Sequence, residues 1–388
     1  MSDDSVTVRS SQSWFSRIGG AIVGALIGIF LFIAAFPFLV WNEGRAIKRA
    51  KTLEAGAEAV VSAPASPVQA ENEGRLVHIT GKTLADGQAT DSALGVSAAA
   101  IKLHRNVEMY QWSEEKKSET KSKLGGGEET VTTYSYKKEW SSTLIDSQEF
   151  QKTDGHTNPS EMPLESETFA ANVVTVGDFT LPDSLVAMID DYQAFPVKQM
   201  PEISTEFSAP VALSNNGLYI GENPKTPAVG DLRIAFTVVE PGDVSIVAGQ
   251  IGETFEPYVI NGLGTIELLQ TGTVSAKNMF ASEQQANTVL TWILRVVGFF
   301  VMFIGLLLIA KPLTVVADFI PILGSIAETG TGFISFLVAL PLTLGTIALA
   351  WLAYRPLLGL PLLILAVVGI VFAIRAVLKR KKKAPLPA

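Results

Sequence analysis

Residues 18–41 read IGGAIVGALIGIFLFIAAFPFLVW and contain no charged side chain. At about 1.5 Å per residue, a helix of this length can cross a hydrocarbon core of about 30 Å. A cleaved signal peptide is the alternative, but the run exceeds the usual apolar region of about 7–15 residues, and bulky residues occupy the place of a cleavage site. Trp14 and Trp41 flank the stretch, as interfacial anchors do. We therefore interpret residues 18–41 as a retained transmembrane helix.

Three further apolar stretches lie near the C-terminus, at residues 288–310, 329–354 and 356–374. Each is long enough for a transmembrane helix. The segment between the first two of them, residues 311–328, contains Asp318 and is too interrupted for another crossing, so we expect an interfacial or re-entrant segment there. The sequence thus predicts a multi-pass α-helical membrane protein with four transmembrane helices.

The long stretch after the first span, residues 42–287, has a different composition. It carries 34 Asp and Glu residues against 19 Lys and Arg residues, a difference of −15. This acidic balance argues against a nucleic-acid partner, since phosphate binding needs clustered positive charge. Residues 44–62 favour a polar helix that continues the first span, and Pro182 opens a short second helix. Strand-like patterns dominate the rest, so we predict a large, mainly-β (α+β) extramembrane domain.

Two strand hairpins are predicted in this domain. Residues 101–113 and 131–145 favour paired strands, joined by a charged tip at residues 114–130 that we expect to be mobile. Residues 232–238 and 244–247 alternate apolar and polar side chains, and a proline-glycine turn lies between them. This pattern indicates a second hairpin.

The sequence carries no signature of enzyme chemistry. It has no cysteine, which excludes thiolate metal sites and cysteine nucleophiles. The common nucleotide, zinc-protease and hydrolase motifs are missing. His78, His104 and His156 stand in unrelated contexts, and we interpret them as surface or half-buried strand residues. We therefore predict no catalytic residue, no cofactor and no metal site, and a protein that is not an enzyme.

Gly20, Gly24 and Gly28 form a GxxxGxxxG pattern inside the first span. These glycines fall near one face of a helix, where small residues let a second helix approach closely. The partner could be a second copy of the chain or one of its own helices. Replacing Gly24 by isoleucine is expected to weaken that packing.

Ionisable residues at membrane level are the other candidates for function, because charge in a bilayer is costly. All of them lie near the ends of predicted spans, which favours interfacial anchoring over an ion path. Arg295 could extend to the interface or pair with a neighbour. The candidates are Arg295, Lys311, Asp318, Glu328 and Arg355.

Several blocks of sequence resemble the transmembrane protein 43 (LUMA) family over nearly the whole chain. Their order and their placement relative to the spans also agree with that family. The blocks are Trp41-Asn42-Glu43-Gly44-Arg45-Ala46, Val107-Glu108-Met109-Tyr110-Gln111-Trp112, Tyr134-Ser135-Tyr136 with Glu139-Trp140, Gly155-His156-Thr157-Asn158-Pro159-Ser160, Glu222-Asn223-Pro224-Lys225 with Val229-Gly230-Asp231-Leu232-Arg233, and Tyr354-Arg355-Pro356-Leu357.

The resemblance implies one N-terminal span, a large domain in the lumen (or in the periplasm of a bacterium) and three C-terminal spans. In animals the family is known at the endoplasmic reticulum and inner nuclear membrane, where it self-associates and acts as an organising partner of lamina and emerin-type proteins. It supplies no catalytic residues that could be placed on these blocks.

Two functional hypotheses follow. The first is a non-enzymatic membrane scaffold that forms homo-oligomers and presents the soluble domain to partners, with membrane lipids and other membrane proteins as its surroundings. The alternative is an oligomeric ion channel or transporter component that uses the C-terminal helices and a path past Arg295, Asp318 or Glu328.

The distribution of positive charge predicts the sidedness of the chain. Residues 1–17 are expected to form a cytoplasmic tail, as are residues 375–388, which include six Lys and Arg residues. Residues 42–287 would then lie on the opposite side. The basic cluster after the first span opposes this orientation, whereas the basic C-terminal tail and the family resemblance support it.

Overall fold

The computed structural model describes residues 4–203, 205, 207–319 and 321–354. Of residues 321–326, 328, 353 and 354 it describes only the backbone. Beyond residue 354 it describes the isolated positions 361, 364, 367–369, 371, 372 and 375. The chain divides into two compact units. The sheet unit comprises Met1–Thr7, Thr52–Lys117 and Thr133–Ser282. The helical unit comprises Val8–Lys51, Ser118–Thr132 and Glu283–Ala388.

Four helices are present in the described residues: α1 (Trp14–Ala59), α2 (Asp183–Met188), α3 (Ala276–Ala317) and α4 (Pro321–Tyr354). Helix α1 confirms the prediction of a polar extension after the first apolar stretch and ends at Ala59, shortly before Pro64. The short helix opened by Pro182 is also confirmed, as α2.

Three of these helices are long and apolar enough to cross a membrane, over Trp14–Ala59, Ala276–Ala317 and Thr329–Leu352. Together with the sheet-rich region they make an α+β membrane protein. Helix α3 continues to Ala317, beyond the predicted end of the second span, and α4 begins at Pro321. The fourth predicted span, residues 356–374, lies outside the described residues except for isolated positions.

Nineteen strands are present in the described residues, most of them in the sheet unit. They are β1 (Ser5–Gln12), β2 (Val61–Ser62), β3 (Leu76–Asp86), β4 (Ala89–Asp91), β5 (Val96–Ala98), β6 (Lys102–Ser122), β7 (Glu128–Ser141), β8 (Glu167–Ala170), β9 (Val173–Val176), β10 (Phe179–Thr180), β11 (Gln193–Phe195), β12 (Val211–Ser214), β13 (Gly217–Ile220), β14 (Leu232–Val239), β15 (Asp243–Ile251), β16 (Thr254–Glu256), β17 (Tyr258–Ile260), β18 (Gly264–Ile266) and β19 (Leu268–Thr271).

The larger sheet has the order β1-β7-β6-β14-β13-β12, with β11 on β14 and β8 on β6. The predicted pairing of β6 with β7 is confirmed. The predicted loop at residues 114–130 is wrong for most of its length, because the strands continue to Ser122 and resume at Glu128. Hydroxyl pairs such as Thr120 with Thr130 (3.0 Å) hold the ribbon there. Its polar composition reflects exposed strand faces rather than a loop.

The second sheet has the order β10-β9-β3-β15-β16, with β19 on β15 and β2 on β3. Strands β14 and β15 exist as predicted, but the hairpin between them is wrong. Strand β14 pairs with β6, and β15 pairs with β3 in the other sheet. The burial of β15 explains this difference, because residues 244–250 are buried on both faces and so form a central strand.

Each sheet has its own hydrophobic core, and a third cluster includes the C-terminal part of α1. Leu103, Val107 and Ile234 belong to the core of the larger sheet. Leu53 of α1 is fully buried with Met279 and neighbouring residues of the sheet unit. Helix α1 therefore ends inside a folded core rather than in a free linker.

Strand β1 bears on the predicted sidedness of the chain. It precedes α1, yet it pairs with β7, which follows α1. Residues that precede α1 thus lie beside residues that follow it in one sheet. The prediction that residues 1–17 and 42–287 lie on opposite sides of the membrane stays a prediction.

Candidate functional site in the helical unit

An ion pair joins the two longest helices. Glu43 of α1 accepts two hydrogen bonds from Arg295 of α3, from Nε at 2.7 Å and from a terminal nitrogen at 2.8 Å. The Glu43 side chain is 1% exposed and the Arg295 side chain 12%. This two-point geometry is the strongest form of an arginine–carboxylate contact, and it fixes the relative position of the two helices.

Two tryptophans enclose this ion pair. The Arg295 guanidinium lies 4.6 Å from the ring centre of Trp292 and 5.3 Å from that of Trp351. The indole N–H of Trp351 also donates to the Glu43 carboxylate. Helix α4 thereby joins α1 and α3. The aromatic faces favour the cation and shield the ion pair from solvent.

A polar ladder continues this contact along α1 and α3. The Asn42 amide donates to the Thr291 carbonyl at 3.1 Å, and Arg45 donates to Asn287 Oδ1 at 3.1 Å. Asn287 in turn donates to the Ala46 carbonyl at 2.9 Å. These contacts satisfy polar groups that would be costly in an apolar surrounding. A cavity of about 350 Å³ opens beside the ladder.

A second ionic cluster lies at the start of α1. One terminal nitrogen of Arg17 lies 2.6 Å from Glu128 Oε1 and 2.5 Å from Asp318 Oδ2. The other donates to the Gly126 carbonyl at 2.5 Å. The Arg17 side chain is 8% exposed. The cluster joins the start of α1, the residues after α3 and the end of the β6–β7 ribbon.

The glycine pattern lies partly in a helix crossing within the chain. A Cβ atom at Gly28 would lie 2.7 Å from the Gly305 carbonyl oxygen, so α1 and α3 touch backbone to backbone there. Gly24 is looser, with Leu308 at 3.9 Å, and Gly20 faces open space. One of this chain's own helices is therefore the partner at Gly28.

The ionisable candidates separate into three groups. Arg295 and Asp318 form ion pairs. Lys311 is exposed on α3. The backbone of Glu328 belongs to α4, but its side chain lies outside the described residues, and Arg355 lies outside them altogether.

Sequence reasoning did not identify Glu43, Arg17 or Glu128 as candidate functional residues. Glu43 could have been identified from the sequence. An arginine inside an apolar helix needs a counter-charge, and the Glu43 carboxylate stands two residues after the first apolar stretch. No comparable signal existed for Glu128, which lies 111 residues beyond Arg17 in a charge-rich ribbon.

The histidines occupy hydrogen-bonded positions in the sheet unit. His156 is buried, with Nε2 2.6 Å from Asp4 and its ring stacked on Tyr136 at 4.1 Å. His78 contacts the Val274 carbonyl, and His104 contacts Thr168. Across the part of the chain that is described, no three histidine or carboxylate residues come together as a metal site.

Comparison with known proteins gives the family. The family model of transmembrane protein 43 matches residues 109–356. Transmembrane protein 43 of Mus musculus and that of Homo sapiens are each 35% identical over 379 residues, which cover 95% of this chain and 94% of the relative. The Drosophila melanogaster homolog is 32% identical over 351 residues, 88% of this chain and 91% of its own. No solved structure matches significantly. The chain therefore belongs to the transmembrane protein 43 family.

Proposed function

We propose that this protein is a non-enzymatic, multi-pass membrane scaffold that self-associates through its helices and presents the sheet unit to partner proteins. The observation that carries the proposal is the Glu43–Arg295 pair. It uses the charge within the apolar helices to hold α1, α3 and α4 together. Charged groups engaged in this way support a rigid anchor more than an open ion path.

Apolar surface left on the helices supports self-association. Phe30 and Ile33 of α1 are 71% and 60% exposed, and Trp292 of α3 is 59% exposed. Lipid covers such surface in a monomer, and a second copy can replace part of that lipid by close packing. Because Gly28 already packs against α3, the proposed contact between copies uses other faces of α1 and α3.

The proposal keeps the sheet unit in the lumen or periplasm and the basic tail, residues 375–388, in the cytoplasm. Partners of the scaffold would then meet the sheet unit on the lumenal or periplasmic side of the membrane.

The experiment measures size and ion flux on the full chain. Light scattering in detergent should give a mass of two or more copies, and liposomes that contain the protein should show no ion flux above protein-free liposomes. A monomer at all concentrations would contradict self-association. Flux that Asp318→Asn or Glu328→Gln abolishes would contradict the scaffold and favour the channel.

A further inference from the structure

A polar cavity of about 660 Å³ lies in the helical unit beside the first turns of α1. Helix α3 and the residue after it contribute Lys311, Thr314 and Asp318 to its wall. Their spacing of three and then four residues places them along one face of the chain. Helix α1 contributes Arg17 and Gly20.

The charges around this cavity form two poles. Arg17 is shared by the carboxylates of Glu128 and Asp318, so these three groups together carry a net charge of −1. Lys311 supplies a positive charge and takes part in none of the ion pairs between described side chains. It lies seven residues before Asp318, about 10 Å along a helix. One end of the cavity is therefore positive and the other negative.

Exposed apolar side chains stand next in sequence to residues that line the cavity. Phe15 is 78% exposed, Leu313 72% and Phe319 56%. They lie on or beside helices that are apolar enough to lie in a membrane. A polar cavity with exposed apolar side chains next to it in sequence suits the level at which lipid headgroups meet acyl chains.

We propose that this cavity binds the headgroup of a zwitterionic phospholipid with a primary ammonium group, of the phosphatidylethanolamine type. Lys311 binds the phosphate, together with the Ser16 and Ser122 hydroxyls that line the same space. Glu128 and Asp318 each use one oxygen on Arg17, and their other oxygens accept hydrogen bonds from the lipid ammonium.

The charge arrangement distinguishes this lipid from the other common classes. A trimethylammonium headgroup cannot donate hydrogen bonds to the two carboxylates, whereas a primary ammonium donates three. An anionic headgroup without an ammonium leaves the negative pole without a partner and is repelled by it. The inference goes beyond the proposed scaffold role and does not depend on self-association.

Gly20 supplies a way to fill the cavity without disturbing the protein. A Cβ atom at Gly20 has no heavy atom within 4 Å, although this residue lines the cavity. A Cβ atom at Gly19 also has no heavy atom within 4 Å, but Gly19 does not line the cavity. A leucine at either position meets no described atom at its first carbon, but only the one at position 20 occupies the site.

The test uses the full chain, delipidated in detergent, with dioleoyl phosphatidylethanolamine, phosphatidylcholine or phosphatidylglycerol added in mixed micelles. Native mass spectrometry counts the bound lipid. We expect phosphatidylethanolamine to bind most tightly. Lys311→Gln and Gly20→Leu should each weaken its binding about tenfold, which corresponds to about 1.4 kcal/mol. Lys277→Gln and Gly19→Leu are the matched controls and should bind like the parent.

Each result decides the inference. Equal binding of all three lipids, or tighter binding of phosphatidylglycerol, would overturn it. So would unchanged phosphatidylethanolamine binding by Gly20→Leu. Thermal unfolding of each delipidated variant shows that it is folded. If one variant fails to fold, the other still decides the outcome, because Lys311 and Gly20 line the cavity from different helices.

Discussion

Glu43 of α1 contacts Arg295 of α3 and Trp351 of α4, so its side chain connects the three apolar helices. A buried ion pair contributes little net stability compared with apolar residues of the same shape, because both charges lose their hydration. Removing only one partner is different, because the other charge remains buried and unpaired. The role of Glu43 is thus to set which surfaces of α1, α3 and α4 meet.

Glu43→Ala should lower the free energy of unfolding by about 3–5 kcal/mol, because it leaves Arg295 without its counter-charge. The double variant Glu43→Leu with Arg295→Met should recover most of that loss. Thermal unfolding in detergent measures both. Glu54→Ala, an exposed position on the same helix, is the control and should change little. Equal effects of Glu43→Ala and Glu54→Ala would contradict a structural role for the pair.

Tyr136 makes the sheet unit sensitive to alkaline pH. Burial, together with the hydrogen bond to Glu114, raises the pKa of Tyr136 from 10.0 to about 12. Between these values the folded protein keeps a proton that the unfolded chain has lost, so the free energy of unfolding falls as pH rises. The effect is absent below pH 10, where both states are protonated.

Unfolding measured from about pH 9 to about pH 12, a range that brackets the usual tyrosine pKa of about 10, should show this loss in the parent. Tyr136→Phe should weaken the pH dependence without abolishing it, because burial and Asp231 also raise the pKa of Tyr219. An unchanged pH dependence in Tyr136→Phe would contradict the assignment.

At the scale of elements, the crossing of α1 and α3 depends on Gly28. Gly28→Ile should destabilise the helical unit strongly, because its side chain would meet the backbone of Gly305. Gly24→Ile should have a smaller effect, since the nearest side-chain atom, on Leu308, is 3.9 Å from a Cβ there. Thermal unfolding in detergent ranks the variants, with Gly19→Ile as the control. A larger effect at Gly24 than at Gly28 would show that this crossing is not the one that holds the helices.

Local patterns predicted the existence of elements better than their partners. The alternation in β14 identified a strand correctly, because Leu232, Ile234 and Phe236 all face one core. The same reasoning joined β14 to β15 through a short turn, although the two strands belong to different sheets. A turn between strands does not reveal whether the chain stays in one sheet. The charged ribbon beyond residue 113 was missed because exposed strands and loops share polar composition.

The same limit applied to the candidate site. Arg295 could be identified because a charge in an apolar helix is costly wherever its partner lies. Arg17 and Glu128 are brought together only by the pairing of β1 and β7 and the start of α1. That contact depends on the tertiary fold, and no local pattern carries it.

At the scale of the whole molecule, the pairing of β1 with β7 makes a prediction about sidedness. The natural chain has no cysteine, so single cysteines can be placed without removing any. Ser10→Cys and Ser135→Cys are both exposed and should react with a membrane-impermeant maleimide from the same side of sealed vesicles. Asn261→Cys reports on the sheet unit in the same assay. Reaction of positions 10 and 135 from opposite sides would contradict the strand pairing.

The β1–β7 pairing also has a consequence for biosynthesis. Gln12 leaves the ribosome 116 residues before Glu128, the first residue of β7. At about 5–20 residues per second, β1 waits for about 6–23 seconds before its partner strand is made. During that interval α1 has already emerged and must enter the membrane while β1 stays extended and unpaired. The side of the membrane on which the first dozen residues lie is thus chosen before the strand that pairs with them has been made.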